Sequence, residues 1–591
     1  MAARRGPPSL LSAGRGLNQQ QRGRQRADRS GVGPIVVPRA AASSSASSSS
    51  SSATTTTNNK PRVVVVGGGW AGFGAARALA KSGQVDVTLL EGAPQPGGVA
   101  GGYRDAKGRS LELGMKGFWM SYPSLYNLMR ELGEEKRGVY ASGEHPPFQR
   151  VGDFPTTDFT TSAFWGRNGR LITQAPVFSK CEPANLPTLL GQFYHTFNLP
   201  WDISLADRLT MLPWLAAIAD FDSSEETYME YDKMSARELF RRAGVSEKMY
   251  RDFLRPTLLV GLFAEGEDLS AAETLSALYY YALQNTSSFD VCWPRGSIAE
   301  TIFTPMVEGI RADGGQVLGS QIVTAVVEEG GEITAVRARD AKTGEETTYE
   351  ADAFVFAVGV KGLKKLVADN ACLARQDELR AASSLRSIDC LATRLWFDRP
   401  VATRFPANVL AGFERSAGAT FFMLDQLSDE YKGGNSVVAS DFYNATELLP
   451  LPDDAIVARV LSHLRECEPR FRDAQVVDSA VLRAPQAVTH FSVGSYAARP
   501  PQRLPGLPNL FLAGDLVKGV DTGANGLSQE RAYVTGLSAA NCVLQRVADG
   551  KGVVSIPAVA KDEPHIVAAK QAARQARQAL APLIALNPFM R

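Results

Sequence analysis

Arg62 is followed by Val63, Val64, Val65 and Val66, and four β-branched residues in a row demand a strand buried on both faces. Gly67-Gly68-Gly69-Trp70-Ala71-Gly72 comes next, a GxGxxG pattern that opens an Ala-rich helical stretch from Phe73 to Ser82. Gly83 is the expected helix stop. Val85, Val87, Leu89 and Leu90 then read as a second strand that ends at Glu91. Strand, glycine loop, helix, strand and acid in this order and spacing restrict the N-terminal part to a Rossmann-like α/β fold. Gly67 permits the tight turn, Gly69 lets backbone approach a pyrophosphate, and Gly72 lets the helix pack close to the strand. Ala71 sits in the same loop at the helix N-terminus, whose free N–H groups attract phosphate. Glu91 can accept hydrogen bonds from ribose hydroxyls, which disfavours a 2′-phosphate. Residues 62–91 are therefore expected to hold the adenosine end of a dinucleotide.

The charge distribution divides the chain. Residues 1–59 hold eight arginines and one acid, Asp28, so they carry about +7 and the remainder about −6 of the formal net charge of +1. Ser43 to Asn59 is almost pure Ser/Thr, which cannot bury enough apolar surface to offset its ordering entropy. A basic, Ser-rich, acid-poor leader without an apolar core fits an organelle transit peptide, with a plain disordered tail as the alternative. The run Val36 to Ala42 resembles the end of a chloroplast transit peptide, and a mitochondrial address is the alternative. The near-neutral total gives no reason to expect a nucleic-acid partner. Cys181, Cys292, Cys372, Cys390, Cys467 and Cys542 form no CxxC pair and do not cluster with histidine, so no metal site is expected and the thiols read as reduced. No apolar run reaches the about 18 residues needed to span a bilayer.

Beyond Glu91 the chain continues to Gly97-Gly98, and Leu111-Glu112-Leu113-Gly114-Met115-Lys116-Gly117-Phe118 follows. Near the other end, Leu507 to Leu512 reads as a short buried strand ending in Ala513-Gly514-Asp515, followed by Gly523-Ala524-Asn525-Gly526 and a helical pattern through Asn541. Together these segments resemble the flavin-containing amine oxidase and carotenoid desaturase superfamily, from about residue 60 to residue 545. The resemblance implies FAD, with Gly97 and Gly98 close to it and Gly514 and Asp515 at the ribityl chain or phosphate. The helix near Gly526 would point its positive end at the flavin ring system. Gln316 to Val327 and Glu332 to Arg339 alternate like a hairpin; by resemblance Val323 contacts the adenine, the alternative being a scaffold strand pair. No second GxGxxG precedes a helix, so an NAD(P)H site is not expected.

The segments Lys233 to Phe240, Phe253 to Leu259 and Leu269 to Ala272 look like the phytoene and zeta-carotene desaturases, as does Trp293-Pro294-Arg295-Gly296-Ser297. Two departures stand out. The family usually has Arg where this chain has Val99, and often His where it has Lys116. The resemblance implies an FAD-dependent oxidoreductase that desaturates an apolar isoprenoid or carotenoid by hydride transfer to the flavin, with a quinone or oxygen as acceptor. An amine or porphyrinogen oxidase, a carotenoid isomerase, or a non-catalytic flavin-binding thylakoid protein are the alternatives. No catalytic acid or base is identifiable: Arg295 reads as flavin-proximal or as a structural ion pair, and His490 as a satisfied core residue.

The expected architecture is a discontinuous FAD-binding domain (60–120, 295–365 and 495–545) with an inserted mixed α+β substrate domain (121–294 and 366–494). A transit peptide (1–59) would precede it and a helical tail (546–591) follow. Phe178 to Leu215 is rich in large apolar residues, Phe193, Phe197 and Leu212 among them, with Lys180 and Arg208 nearby. It reads either as helical core or as a peripheral membrane patch that opens the substrate tunnel. The amphipathic stretch Ala568 to Leu583 could add to such a patch or pack on the surface.

Overall fold

The valine run forms strand β1 (Arg62–Val66) at the middle of a six-stranded sheet. The computed structural model describes residues 60–579 except 138–154, 184–185, 189, 198, 200, 215–220, 222–223, 521–524, 560, 573–574 and 576–578. The leader, Gly523 and Ala524, Leu189, Pro200 and Leu215, and the end of the tail lie outside the described residues. Helix α1 (Trp70–Ser82) follows the glycine loop and stops at Gly83, whose φ of 64° is the left-handed conformation glycine adopts freely. Strand β2 (Asp86–Leu90) then pairs parallel with β1, Val64 beside Thr88. The sheet order is 503–504, 507–512, 353–356, β1, β2, 316–318. All neighbours are parallel except the edge pair 503–504 and 507–512.

Both faces of β1 are buried, as four successive valines require. Val63 and Val65 pack with Phe73 and Leu79 of α1 and with Val543 and Leu544 of a long C-terminal helix, Gln529–Val547. Val64 and Val66 face the opposite way, toward Phe354, Leu510 and the helix Val360–Asp369. Burying a side chain such as Leu79 contributes about 1.5–3 kcal/mol. The long helix crosses α1 at Gly536, where a Cβ would collide with the carbonyl oxygen of Ala71.

A seven-stranded sheet, ordered 476–490, 386–397, 437–443, 418–423, 407–410, 162–166, 170–175, is antiparallel except where 407–410 runs parallel to 162–166. Its strands obey the period-two rule. Leu391, Leu395, Val438 and Phe442 face helix Asp453–Cys467 through Ile456, Val460 and Leu464. The alternate residues Cys390, Ala392, Ala439, Asp441 and Tyr443 point the other way. A largely helical region, 225–278, packs around Phe240, Leu258 and Leu275.

The expected hairpin at 316–339 is split. Gln316–Leu318 joins the six-stranded sheet, Ser320 takes a left-handed φ of 60°, and Gln321–Glu329 begins an antiparallel meander with Glu332–Asp340 and Glu346–Glu350. The break re-aims the chain where it leaves the sheet. The helical-core reading of the 190–212 stretch is overturned: Leu190, Phe193, Tyr194, Phe197, Leu205, Leu209 and Leu212 are exposed, whereas Phe178 and Trp214 are buried. The tail helix at 564–572 packs on the protein, with Glu563 accepting from the Thr188 N–H at 3.0 Å and Lys570 lying 4.0 Å from the Tyr279 ring centroid. Outside 104–109 the described residues form one unit; the 104–109 turn, by itself, is closed by Arg109 donating to Asp105 at 2.7 Å.

Candidate functional site

The glycine loop keeps one side of its backbone clear. Gly67 has φ 106°, which no side chain tolerates there, and its N–H donates to Leu90 O at 2.8 Å. A Cβ on Gly69 would meet nothing within 4 Å, so the space above it is open. The N-terminus of α1 carries no side-chain cap, leaving backbone donors for a ligand. Gly97 donates its N–H to Gly68 O at 2.7 Å, which folds the second glycine pair over the first loop. Glu91 sits beside them, with Oε2 accepting from Gly68 N at 2.5 Å and Oε1 from Ala93 N at 2.7 Å.

One cavity of about 710 Å³ collects these residues. Gly67, Gly69, Ala71, Glu91, Gly97, Gly98, Val323, Gly514 and Asp515 all line it, from segments that span the chain. Gly72 does not; it packs beneath, against the Gly67 carbonyl. Val99, at the position of the usual arginine, lines the cavity and is exposed. Asp515 accepts from Thr489 Oγ1 at 2.9 Å. Burial pushes its carboxyl up, opposed by that hydroxyl and by the Arg499 and Arg531 guanidinium groups. An uncapped helix end, open space over Gly69 and a carboxylate at the end of the second strand fit the phosphates and ribose of a dinucleotide.

Past this end the cavity runs along Leu113–Gly117 to the free face of the seven-stranded sheet. Gln529 ties the two parts together: its Oε1 accepts from Trp70 Nε1 at 3.0 Å and its Nε2 donates to Gly117 O at 2.8 Å. The far chamber is walled by apolar residues such as Phe164, Leu258, Leu262, Leu278 and Phe422. Trp119 packs tilted against Tyr281 and edge-on against Phe289, at 5.0 and 5.1 Å between centroids, and all three line the cavity. Lys116, Cys390, Thr420, Asp441 and Tyr443 line its floor.

Glu530, next to Gln529, is fully buried and accepts from Ser124 N at 2.8 Å and Leu125 N at 2.9 Å in the first turn of helix Pro123–Arg137. Burial pushes its carboxyl up to about 7, the Ser124 and Leu125 donors holding it down. A raised carboxyl keeps its proton in the native chain while the unfolded chain has lost it. Stability is therefore expected to fall as pH rises from about 4.5 to about 7, by about 3 kcal/mol from this group. Urea unfolding of the Glu530→Gln variant should show a flatter pH dependence across that window; an unchanged slope would refute the assignment.

Arg295 is an ion-pair residue, donating to Asp429 at 2.8 Å, and it does not line the cavity. His490 is a buried core residue as expected, hydrogen-bonded to the Asp268 backbone, and its Nε2 has no hydrogen-bond partner among the described residues. Burial, aided by Arg386, lowers its pKa. The cysteines are free thiols. Among the described residues no cluster of His, Cys, Asp and Glu could hold a metal.

Sequence reasoning missed Asp441, Arg394, Gln529 and Glu530, and treated Lys116 only as a departure. Asp441 left one signal: an acid on the cavity-facing alternation of an otherwise apolar strand, Val437–Tyr443. Gln529 left none.

Residues 70–544 match the family of flavin-containing amine oxidoreductases. A probable zeta-carotene desaturase of Synechococcus elongatus is 25% identical over 500 residues, covering 81% of this chain and 97% of that protein. The chloroplastic/chromoplastic 15-cis-phytoene desaturase of Solanum lycopersicum is 24% identical over 466 residues, 76% of this chain and 72% of that one. Among solved structures, cyclohexylamine oxidase from Brevibacterium oxydans aligns with a TM-score of 0.59 at 14% identity, covering 83% of this chain and 100% of that one. A putative protoporphyrinogen oxidase from Exiguobacterium aligns with a TM-score of 0.55 at 13% identity, over 82% and 99%. At such identity these structures share the fold.

Proposed function

The chain belongs to the family of flavin-containing amine oxidoreductases and is an FAD-dependent oxidoreductase, and on that premise we propose that it desaturates an apolar isoprenoid or carotenoid. One observation carries this reading: the cavity that begins at the glycine loops continues without interruption into a chamber walled by apolar side chains. A polyene offers few polar handles, so shape and exclusion of water must position it. In this reading Gly67, Gly69, Ala71, Glu91, Gly97 and Gly98 hold the adenosine and pyrophosphate of FAD, with Gly72 supporting the loop. Val323 lies at the adenine, and Gly514 and Asp515 at the ribityl end. The bound flavin supplies a hydride acceptor. The chain's own residues hold the substrate C–H against it and keep water out. A quinone or oxygen is the proposed final acceptor.

The alternative of an amine substrate is favoured by the aromatic group Trp119, Tyr281 and Phe289, which could enclose a cation. The buried Arg394 guanidinium beside Asp441 on the chamber floor argues against that cation. Full-length protein expressed in bacteria that accumulate phytoene or zeta-carotene tests the choice. Converted pigment is the expected result; unchanged pigment with a bound-flavin spectrum would exclude those substrates.

The exposed stretch from Leu190 to Leu212 fits a surface that dips into one leaflet. Cavity-lining Ala175 and Pro176 lead directly into the turn Phe178–Lys180 that precedes it. Among the described residues no helix is long and apolar enough to cross a membrane. Phe193→Glu combined with Leu212→Glu is expected to weaken co-sedimentation with liposomes at least about tenfold, because each buried apolar side chain contributes about 1.5–3 kcal/mol. Unchanged co-sedimentation at normal flavin content would exclude the patch. The basic leader and the tomato relative's chloroplastic/chromoplastic designation support a plastid location.

A further inference from the structure

The chamber floor holds two groups that a hydrocarbon pocket has no use for. Asp441 is 3% exposed, lines the cavity, and has an Oδ1 with no hydrogen-bond partner among the described residues; its Oδ2 accepts from Met115 N at 2.8 Å. Lys116 lines the same floor and donates from Nζ to Leu113 O at 2.5 Å and Gly114 O at 2.8 Å. Two carbonyls occupy two donors. A neutral amine so held keeps its lone pair free, and a protonated one keeps a third N–H free. Either way one position on Nζ is not used by these two carbonyls, and Lys116 lines the cavity. Lys116 also stands one residue from Gly117, whose carbonyl Gln529 fastens to the start of the long C-terminal helix and to Trp70 beside the glycine loop. Lys116 thus belongs to the cavity-lining segment Leu113–Gly117 that links the dinucleotide end to the apolar chamber.

We propose that Lys116 Nζ takes up the proton that a desaturation releases, and that Asp441 is the positioning and charge-balancing partner of that amine. This rests on the polyene reading. Desaturation removes two C–H bonds from adjacent carbons. One would leave as hydride, for which a bound flavin would supply the acceptor. The other gives its electron pair to the new double bond and its proton to the Nζ lone pair. The step needs no further reactant.

The surroundings favour loss of the proton from this amine relative to an exposed lysine. Burial pulls Lys116 below the usual lysine range, against the pull of Glu112 and Asp441 and with the push of Arg394. Burial likewise pushes Asp441 up, while Arg394, the Met115 N–H and Lys116 hold it down. Glu112 on the same segment, Arg394 and Cys390 on strand Arg386–Phe397, and Asp441 on strand Val437–Tyr443 are the charged and titratable groups facing it. Cys390 is a thiol pushed up to about 12 by burial and by Asp441 and Asp389, so it does not compete for the proton.

Two measurements test this. Competitive acetylation of the holoprotein with trace acetic anhydride, read by mass spectrometry against pH, reports Lys116 directly and needs no substrate. Lys116 should titrate below the surface lysines, and lower still in the Asp441→Asn variant, which removes a negative charge that favours the protonated amine. Lys116 titrating with the surface lysines would overturn the proposal. In the second, Lys116→Arg keeps the charge and length but cannot release its proton, so kcat on the converted polyene should drop about 10²–10⁴-fold with KM and flavin content unchanged. Lys116→His should restore most of the rate with the pH limb moved toward 6.5. A Lys116→Arg enzyme with wild-type kcat and pH profile would also overturn it. If the unmutated chain converts no polyene, the substrate reading fails, and the acetylation profile still decides the role of Lys116.

Discussion

Replacing Gly72 with alanine is expected to abolish flavin retention and to cost the apoprotein at least about 3 kcal/mol. A Cβ there would fall on the carbonyl oxygen of Gly67, a backbone atom with nowhere to go. Gly67 is itself fixed by its φ of 106° and by Ala357 O, which a Cβ on Gly67 would approach to 2.5 Å. Relief could come only by lifting α1 off β1, which would open the core around Val65 and Phe73. Gly69→Ala is the informative contrast. Its Cβ would meet no protein atom within 4 Å, so the fold should keep its stability while the new methyl occupies the space assigned to pyrophosphate. Denaturant unfolding of the apoprotein and flavin absorbance of the purified protein separate the two effects. A stable, flavin-loaded Gly72→Ala variant would refute the packing argument. A flavin-loaded Gly69→Ala variant would refute the assignment of the open space.

Arg499→Met should cost about 3–5 kcal/mol, because it leaves a buried charge without its partner. Arg499 and Glu273 are each 3% exposed and their ion pair measures 3.0 Å. Glu273 also accepts from Tyr228 Oη at 2.5 Å. The same guanidinium donates to the carbonyls of Asp515, Leu516 and Val517 at 3.0–3.2 Å, and Arg531 donates to Val517 O at 2.7 Å. The loss therefore strikes the loop that presents Asp515 as well as the helical region that supplies Glu273. Adding Glu273→Leu to Arg499→Met should recover part of the loss, since a buried apolar pair needs no charge compensation. A double-mutant cycle by urea unfolding measures this. An Arg499→Met variant within 1 kcal/mol of wild type would show that the pair is already compensated by its neighbours.

The portion of the site legible in the sequence was the portion built locally. β1, α1 and β2 follow from a valine run, helical periodicity and glycines whose geometric duties are fixed by their immediate neighbours. The seven-stranded sheet was not legible as a sheet, because its register is a long-range property. That register, together with the Met115 N–H bond to Asp441, brings residues 326 positions apart onto one floor, and no local pattern encodes it. Exposure of the 190–212 stretch was equally hidden. The same leucines and phenylalanines serve a core or a surface, and only the packing of the helices around Phe240 and Leu258 shows that no partner covers them. Ser320 shows the opposite limit: one left-handed residue redirected a strand that alternation alone continued.

The order of strands in the six-stranded sheet has a consequence for the timing of biosynthesis. Strand 507–512 lies beside 353–356, which lies beside β1, and Gln529 closes on Trp70 across 459 residues. The glycine loop is among the first folded parts to leave a ribosome, yet its neighbours in the sheet and its fastening amide are among the last. The pocket cannot be finished while the C-terminal segment is still being made. Cofactor capture is thus a closing event in the life of each new chain, and a polypeptide interrupted short of Gln529 carries the nucleotide fingerprint without the means to keep a nucleotide.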